Sequence, residues 1–182
     1  TNAEVEVLTD FGSLTASDSW SEGAWSDRRG WPTAGAFYEG RLAWAGQDEI
    51  DCSASDAFDT FDEDIEGDSG PINRTIGAGP VDTINWLLAL QRLILGGEGA
   101  EFSVRSSSLD EPLTPTNFNL KQASTQGSAP VQGRKIDQSG IYVQRGGIRV
   151  YDLAFGTDGI DYQSSHLSAL VPEIGLPGIV RM

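Results

Sequence analysis

Carboxylates are the residues of this chain best equipped for chemistry. Seven fall between Asp56 and Asp68: Asp56, Asp59, Asp62, Glu63, Asp64, Glu66 and Asp68. Within that run, Asp62-Glu63-Asp64-Ile65-Glu66-Gly67 approximates the opening of a calcium loop, with oxygens at alternate positions and a glycine for the sharp turn. The twelfth position of such a loop is a glutamate that closes on the ion with both oxygens; here it is Asn73. The run therefore reads as a solvated acidic loop, and no metal is assigned to it. His166 is the single histidine and Cys52 the single cysteine. A nucleophile–base site or a zinc site would have to draw on those two residues plus carboxylates. Cys52 lies in a strand-like stretch and reads as a small buried hydrophobe. His166, beside Ser164 and Ser165, reads as a surface or capping residue. Paired carboxylates for glycoside hydrolysis are the remaining catalytic option, but no pair stands out among so many acids. No catalytic residue and no cofactor is assigned, and the chain is expected not to be an enzyme.

Composition narrows the partners. The formal net charge is -15, which argues against gripping a nucleic-acid backbone, since that takes Lys and Arg to replace counterions. Arg28-Arg29 and Arg134-Lys135 are the only adjacent basic pairs, and neither is interleaved with aromatic residues as in a single-strand groove. One cysteine rules out an intrachain disulfide framework and suits a reducing compartment. No apolar run approaches the roughly 18 residues that a membrane-spanning helix needs, and no secretory signal pattern is visible. The chain starts at Thr1, and Val171 to Met182 reads as a connection cut short, so an excerpt of a longer protein is expected.

The elements that must position these residues are strands. The 22 glycines and 8 prolines are scattered, which favours short strands and tight turns over long helices. The organising stretch runs from Trp25 to Gly46. It opens with turn chemistry at Gly30, Trp31 and Pro32 and continues as a hairpin: Ala36 to Tyr38, a Glu39-Gly40 turn, and Arg41 to Ala45. Residues 1–30 read as a lead-in, with an edge strand at Val5 to Thr9 and with Trp20 and Trp25 packed on the main domain. From Ala36 the pattern of strand, glycine turn, strand, loop, strand comes three times, in units near 36–80, 81–125 and 130–170. Leu42 and Leu93 are 51 residues apart, and Leu93 and Ile141 are 48 apart. In the first unit the last strand is expected at Phe58 to Phe61. Asp82 to Leu90 is read as a buried strand, the innermost of its unit, because of its β-branched and aromatic content. A period near 50 residues with several strands per unit is the mark of a β-propeller blade. The expected fold is therefore all-β, with antiparallel propeller-type blades over residues 31–182. Three blades do not close a ring, so further blades are expected elsewhere in a parent chain or in other chains.

These residues resemble a family. Trp25, Gly30, Trp31 and Pro32, then Phe37-Tyr38, then Arg41, Leu42 and Trp44 to Gly46, are similar to the hallmark of tail nozzle proteins (tail tubular protein B) of short-tailed phages. Ser53 to Asp56 with Phe58 and Phe61, Leu93 to Gly97 with Glu101-Phe102, and Tyr142 to Gly147 with Tyr151 to Leu153 extend the likeness over about residues 20–175. The resemblance implies propeller-like blades in a ring, commonly a hexamer, below the portal and adaptor. It also implies a place in the virion after assembly in the host cytoplasm, with other tail proteins as neighbours and genome DNA passing through without specific binding. The family supplies no catalytic residues. On this reading Asp59, Asp62, Glu63, Asp64, Glu66 and Asp68 are expected to face the channel, because a lumen lined with carboxylates repels phosphates. The alternative is a carbohydrate-binding or carbohydrate-cleaving propeller module in receptor contact. The two differ in their aromatics: a sugar binder exposes some of Trp20, Trp25, Trp31, Trp44 and Trp86 in a cleft, whereas a scaffold buries them.

Overall fold

The computed structural model describes residues 23–77, 83–106, 111–156 and 161–182. Among the described residues, twelve strands form three four-stranded antiparallel sheets. Sheet I holds β1 (Ala34–Tyr38), β2 (Arg41–Gly46), β3 (Glu49–Cys52) and β4 (Ile72–Thr75). Sheet II holds β5 (Ile84–Ala89), β6 (Leu93–Gly97), β7 (Glu101–Arg105) and β8 (Asn119–Ser124). Sheet III holds β9 (Arg134–Ile136), β10 (Ser139–Val143), β11 (Val150–Phe155) and β12 (Tyr162–His166). Two short 3-10 turns, Leu167–Leu170 and Pro172–Gly175, come after β12. In every sheet each strand pairs with its neighbours in sequence, so the chain meanders three times. Among the described residues no helix is long and apolar enough to cross a membrane.

The hairpin read from sequence is present. Tyr38 pairs with Arg41, and Glu39 and Gly40 turn the chain with φ of 45° and 72°. Two positive φ values give a two-residue turn whose twist matches that of the flanking strands. The Asp82 to Leu90 segment contains strand β5, as its composition implied. Two strand positions need correction. Phe58 to Phe61 is not a strand: the chain turns there, with Asp56 at φ 58° and Ala54 N–H bonded to Thr60 O, and Phe58 packs edge-on against Phe37 at its margin. The fourth strand of sheet I is instead Ile72–Thr75, where Ile72 is buried against the core and Arg74 and Thr75 are exposed. Sheet III also gains β9, whose three residues are all exposed and so carry no hydrophobic alternation. The expected strand at Val5 to Thr9 and the residue Trp20 lie outside the described residues.

The sheets stack face to face. One core joins sheets I and II through Ala43, Ala45, Ile50, Leu87, Leu93, Leu95, Phe102 and Val104. A second joins sheets II and III through Trp86, Ile94, Tyr142, Tyr151, Leu153 and Tyr162. Sheet II is therefore covered on both faces, and all five residues of β6 are buried. Each fully buried Leu or Ile on β6 contributes roughly 1.5–3 kcal/mol relative to exposure. β1 runs beside β5, and β5 beside β9, so the first strands of the three sheets gather on one side. A buried polar network sits between sheets II and III. Glu101, with no exposed surface, accepts hydrogen bonds from the Ser128 hydroxyl at 2.7 Å and from the Ser124 hydroxyl. Nearby, Asp161 takes Arg92 and Ser103, each at 3.2 Å, and also Lys121. Burial alone would raise the Asp161 carboxyl, but Lys121, the Tyr162 N–H and Arg92 hold it below the usual range. The outer face of sheet III is partly closed by the C-terminal residues, with Ile179 and Met182 against Ala129, Val131 and Val143.

Candidate functional site

The outer face of sheet I is where polar and aromatic side chains meet. Residues on one face of a sheet alternate along each strand and line up across it. Here Trp44 on β2 pairs with Asp51 on β3, and Asp51 pairs with Asn73 on β4. These three form one cross-strand row pointing away from the core, while Ile50 and Cys52 point inward. Trp25 joins the row from outside the sheet. Its segment is fixed by the paired backbone hydrogen bonds of Ser26 and Gly30, at 3.0 and 2.7 Å, and by Thr33 N–H on Ala45 O at 2.9 Å. Gly30 sits at φ 98°, with the Gln47 side chain filling the space where a Cβ would be. Gly46 must also be glycine-sized, because a Cβ there would lie 3.0 Å from both Pro32 Cα and Trp31 O.

The result is a cleft of about 790 Å³ with Trp25, Trp44 and Phe61 on its walls. Arg29, Glu49, Asp51, Asp62, Glu63 and Asn73 also line it. The Asn73 amide donates to Glu49 at 3.0 Å and to Asp51 Oδ1. Asp51 is 6% exposed, and its Oδ2 is buried without a hydrogen-bond partner. Burial first, then the neighbouring Glu49 charge, pushes the Asp51 carboxyl up to about 6, against the opposing pull of Asn73 and the Trp25 indole. Arg29 Nη2 stands 3.8 Å from Glu49 Oε2 and is half exposed.

The acidic run read from sequence forms the connection between β3 and β4. Asp59, Asp62, Glu63, Asp64, Glu66 and Asp68 are all exposed. The loop's shape comes from Arg41, which is 3% exposed and donates to the backbone carbonyls of Ser53 at 2.8 Å, Gly70 at 2.5 Å and Asp68 at 2.7 Å. Only Asp62 and Glu63 of the run reach the cleft. Among the described residues no group of three or more His, Cys, Asp or Glu side chains could hold a metal ion. The chain matches no family model and no curated protein. With no relative to assign roles, the roles rest on geometry. Cys52 is 2% exposed, and burial pushes its thiol up to about 12, the opposite of an activated nucleophile. His166 stacks on Tyr151 with ring centroids 4.8 Å apart and lies 3.0 Å from the Ser168 hydroxyl.

The remaining members of the Trp25–Gly46 motif divide by role. Trp31 is 61% exposed, and its indole N–H donates to Asp27 at 2.9 Å. Leu42 lies half-buried on the outer face of sheet I beside Phe37 and Trp44. Trp86 alone of the described tryptophans is fully buried. Sequence reading did not find Asp51, Asn73 or Glu49. Their signal is the period of two along β3, where Glu49 and Asp51 share the face that Trp44 occupies on β2.

Proposed function

We propose that this chain is a structural segment of a phage tail nozzle, contributing propeller-type blades to a ring through which genome DNA leaves. The carrying observation is the stacking: three four-stranded meanders packed face to face, with their first strands gathered on one side. Blades of a propeller stack in this way around an axis. The part of the outer face of sheet I carrying Phe37 and Trp44 remains open, at 65% and 36% exposure, and offers a seat for a further blade. On this reading the segment works without catalysis or cofactor, with copies of itself and other tail proteins as its partners. The exposed acidic loop lines the channel and keeps DNA from sticking. The test is the mass of the intact protein together with images of the particles it forms. Rings with a central channel wide enough for duplex DNA support the proposal, and a stable monomer overturns it. Reversing Asp62, Glu63 and Asp64 to Lys should slow genome release; unchanged release kinetics would remove the channel-facing assignment.

A second reading, a sugar-directed module in receptor contact, is favoured by one observation: Trp25 and Trp44 line an open cleft rather than a core. A panel of oligosaccharides tests it directly.

A further inference from the structure

The exposed apolar side chains of this molecule gather at two places. Among the described residues, every exposed large hydrophobic residue belongs either to the stretch that builds sheet I, as Trp31, Phe37, Trp44, Phe58 and Ile65 do, or to the stretch from Ile136 to Val180 that builds sheet III and the C-terminal segment. None belongs to sheet II, which lies between the other two, so the two groups belong to opposite ends of the stack. Apolar surface collected in this way marks an interaction site, whereas single exposed residues need no explanation. At the first end, the register sets Gly35 opposite Trp44 and Phe37 opposite Leu42 on the outer face. With Ala36 they line a hollow of about 370 Å³ that no charged side chain borders. At the other end, the two 3-10 turns are fastened to sheet III by small and polar residues. The Ser168 hydroxyl accepts the Val150 N–H at 3.2 Å, and Gly175 lies so close to the Ile148 carbonyl that no side chain would fit. Ser168 and Gly175 are the only buried residues of the two turns, while Leu170 and Ile174 stand 95% and 70% exposed. The segment thus displays its apolar side chains to solvent.

We propose that the hollow on sheet I receives the C-terminal segment of a second copy of this chain, joining copies head to tail. Charge selects this occupant. Residues 23–77, which build the sheet I end, carry twelve carboxylates against four cations. Residues 129–156 and 161–182, which build the other end, carry four carboxylates against five cations, and Arg134, Lys135, Arg145, Arg149 and Arg181 are all exposed. Two sheet I ends brought together repel, whereas a sheet I end and a sheet III end do not, so apolar contact between unlike ends is the pairing that charge permits. Arg134 lies at the segment itself, donating from Nε to the Met182 carbonyl at 3.0 Å. A contact between unlike surfaces leaves one of each free on every open assembly, so growth continues until a ring closes or a filament forms. The contact rests on the ring reading above only for the presence of further copies.

The test uses the full chain and two variants at exposed positions, Phe37→Glu in the hollow and Leu170→Glu on the segment, each checked by circular dichroism for the natural fold and followed by sedimentation velocity. Either change sets a charge in an apolar contact that has no partner for it. The natural chain should associate beyond a dimer as its concentration rises to about 100 μM, a level at which even a weak contact registers. Each variant alone should lose that association and remain a monomer. An equal mixture of the two should form a dimer and stop there, because the Leu170→Glu chain keeps its hollow and the Phe37→Glu chain keeps its segment. A natural chain that stays monomeric overturns the proposal. So does association of Leu170→Glu alone, which would mean that sheet I ends meet each other, or of Phe37→Glu alone, which would mean that C-terminal segments do. Head-to-tail assemblies without a channel for duplex DNA would leave this contact standing and remove the nozzle reading; rings that both variants still form would do the reverse.

Discussion

Replacing Gly96 with alanine tests how sheets II and III are joined. Gly96 pairs with Trp86 across β5 and β6, and the indole occupies the space where a side chain at position 96 would begin. A Cβ at position 96 would fall 2.0 Å from Trp86 Cε2, 2.4 Å from Cζ2 and 2.5 Å from Nε1. Carbon atoms in good contact sit about 3.5–4.0 Å apart, so the ring would have to retreat by more than about 1 Å. It has nowhere to go. Trp86 has no exposed surface, its ring is 5.7 Å from that of Tyr142, and Gly133 closes its other flank. Overpacking of this kind costs about 1–3 kcal/mol. In a chain of this size each kcal/mol moves the melting temperature by about 2–4 °C, so Gly96→Ala should melt roughly 2–12 °C lower in a calorimetric scan. In a Trp86→Leu background the added methyl meets a smaller side chain. The penalty of Gly96→Ala should then fall by about 1 kcal/mol or more, a coupling that a double-mutant cycle resolves. An unchanged melting temperature for Gly96→Ala, or strictly additive effects of the two changes, would refute the claim that this contact sets the spacing of the sheets.

Two further outcomes rest on single residues. Arg41→Lys should destabilise the chain by about 2–4 kcal/mol in denaturant unfolding, because an ammonium cannot serve the three carbonyls of Ser53, Gly70 and Asp68 with the geometry of a guanidinium; limited proteolysis should show the acidic loop cut first, and a loop no more sensitive than before counts against the anchoring role. Asp51 makes stability depend on pH with a definite sign. Its carboxyl titrates at about 6 in the folded chain and near 4 when unfolded, so between those values the folded state holds a proton that the unfolded state has lost. Its contribution to stability therefore falls as pH rises from about 4 to 6. Asp51→Asn should gain in melting temperature relative to the natural chain across that window, and a difference that stays flat with pH would refute the assignment.

The sequence made local geometry easy to read and cross-strand geometry hard. The Glu39-Gly40 turn was legible because a two-residue loop between apolar strands leaves few conformations. Strand β6 was legible because Leu93-Ile94-Leu95 followed by two glycines has no other use. Strand β9 was hidden because Arg134, Lys135 and Ile136 are all exposed, and charged residues on an edge strand guard against unwanted pairing rather than mark a core. Phe58 and Phe61 misled because aromatic residues favour strands, yet here Phe58 serves as a lid on Phe37 at the margin of the sheet. The cleft was hidden for a different reason. Trp44, Asp51 and Asn73 become neighbours only once the β2–β3 and β3–β4 registers are set, and the second depends on a long loop that local patterns do not constrain.

The strictly sequential pairing of strands has a consequence for synthesis. Every sheet is complete once its own stretch of chain has left the ribosome, without waiting for a distant partner, so the sheets can form in order as translation proceeds. Sheet II is the vulnerable stage. Until β10 and β11 emerge, the face carrying Trp86 and Ile94 has no cover, and nascent chains paused there present a wide apolar surface to one another. Slow decoding just after Ser124 would prolong that exposure, and rapid delivery of Tyr142 and Tyr151 would end it.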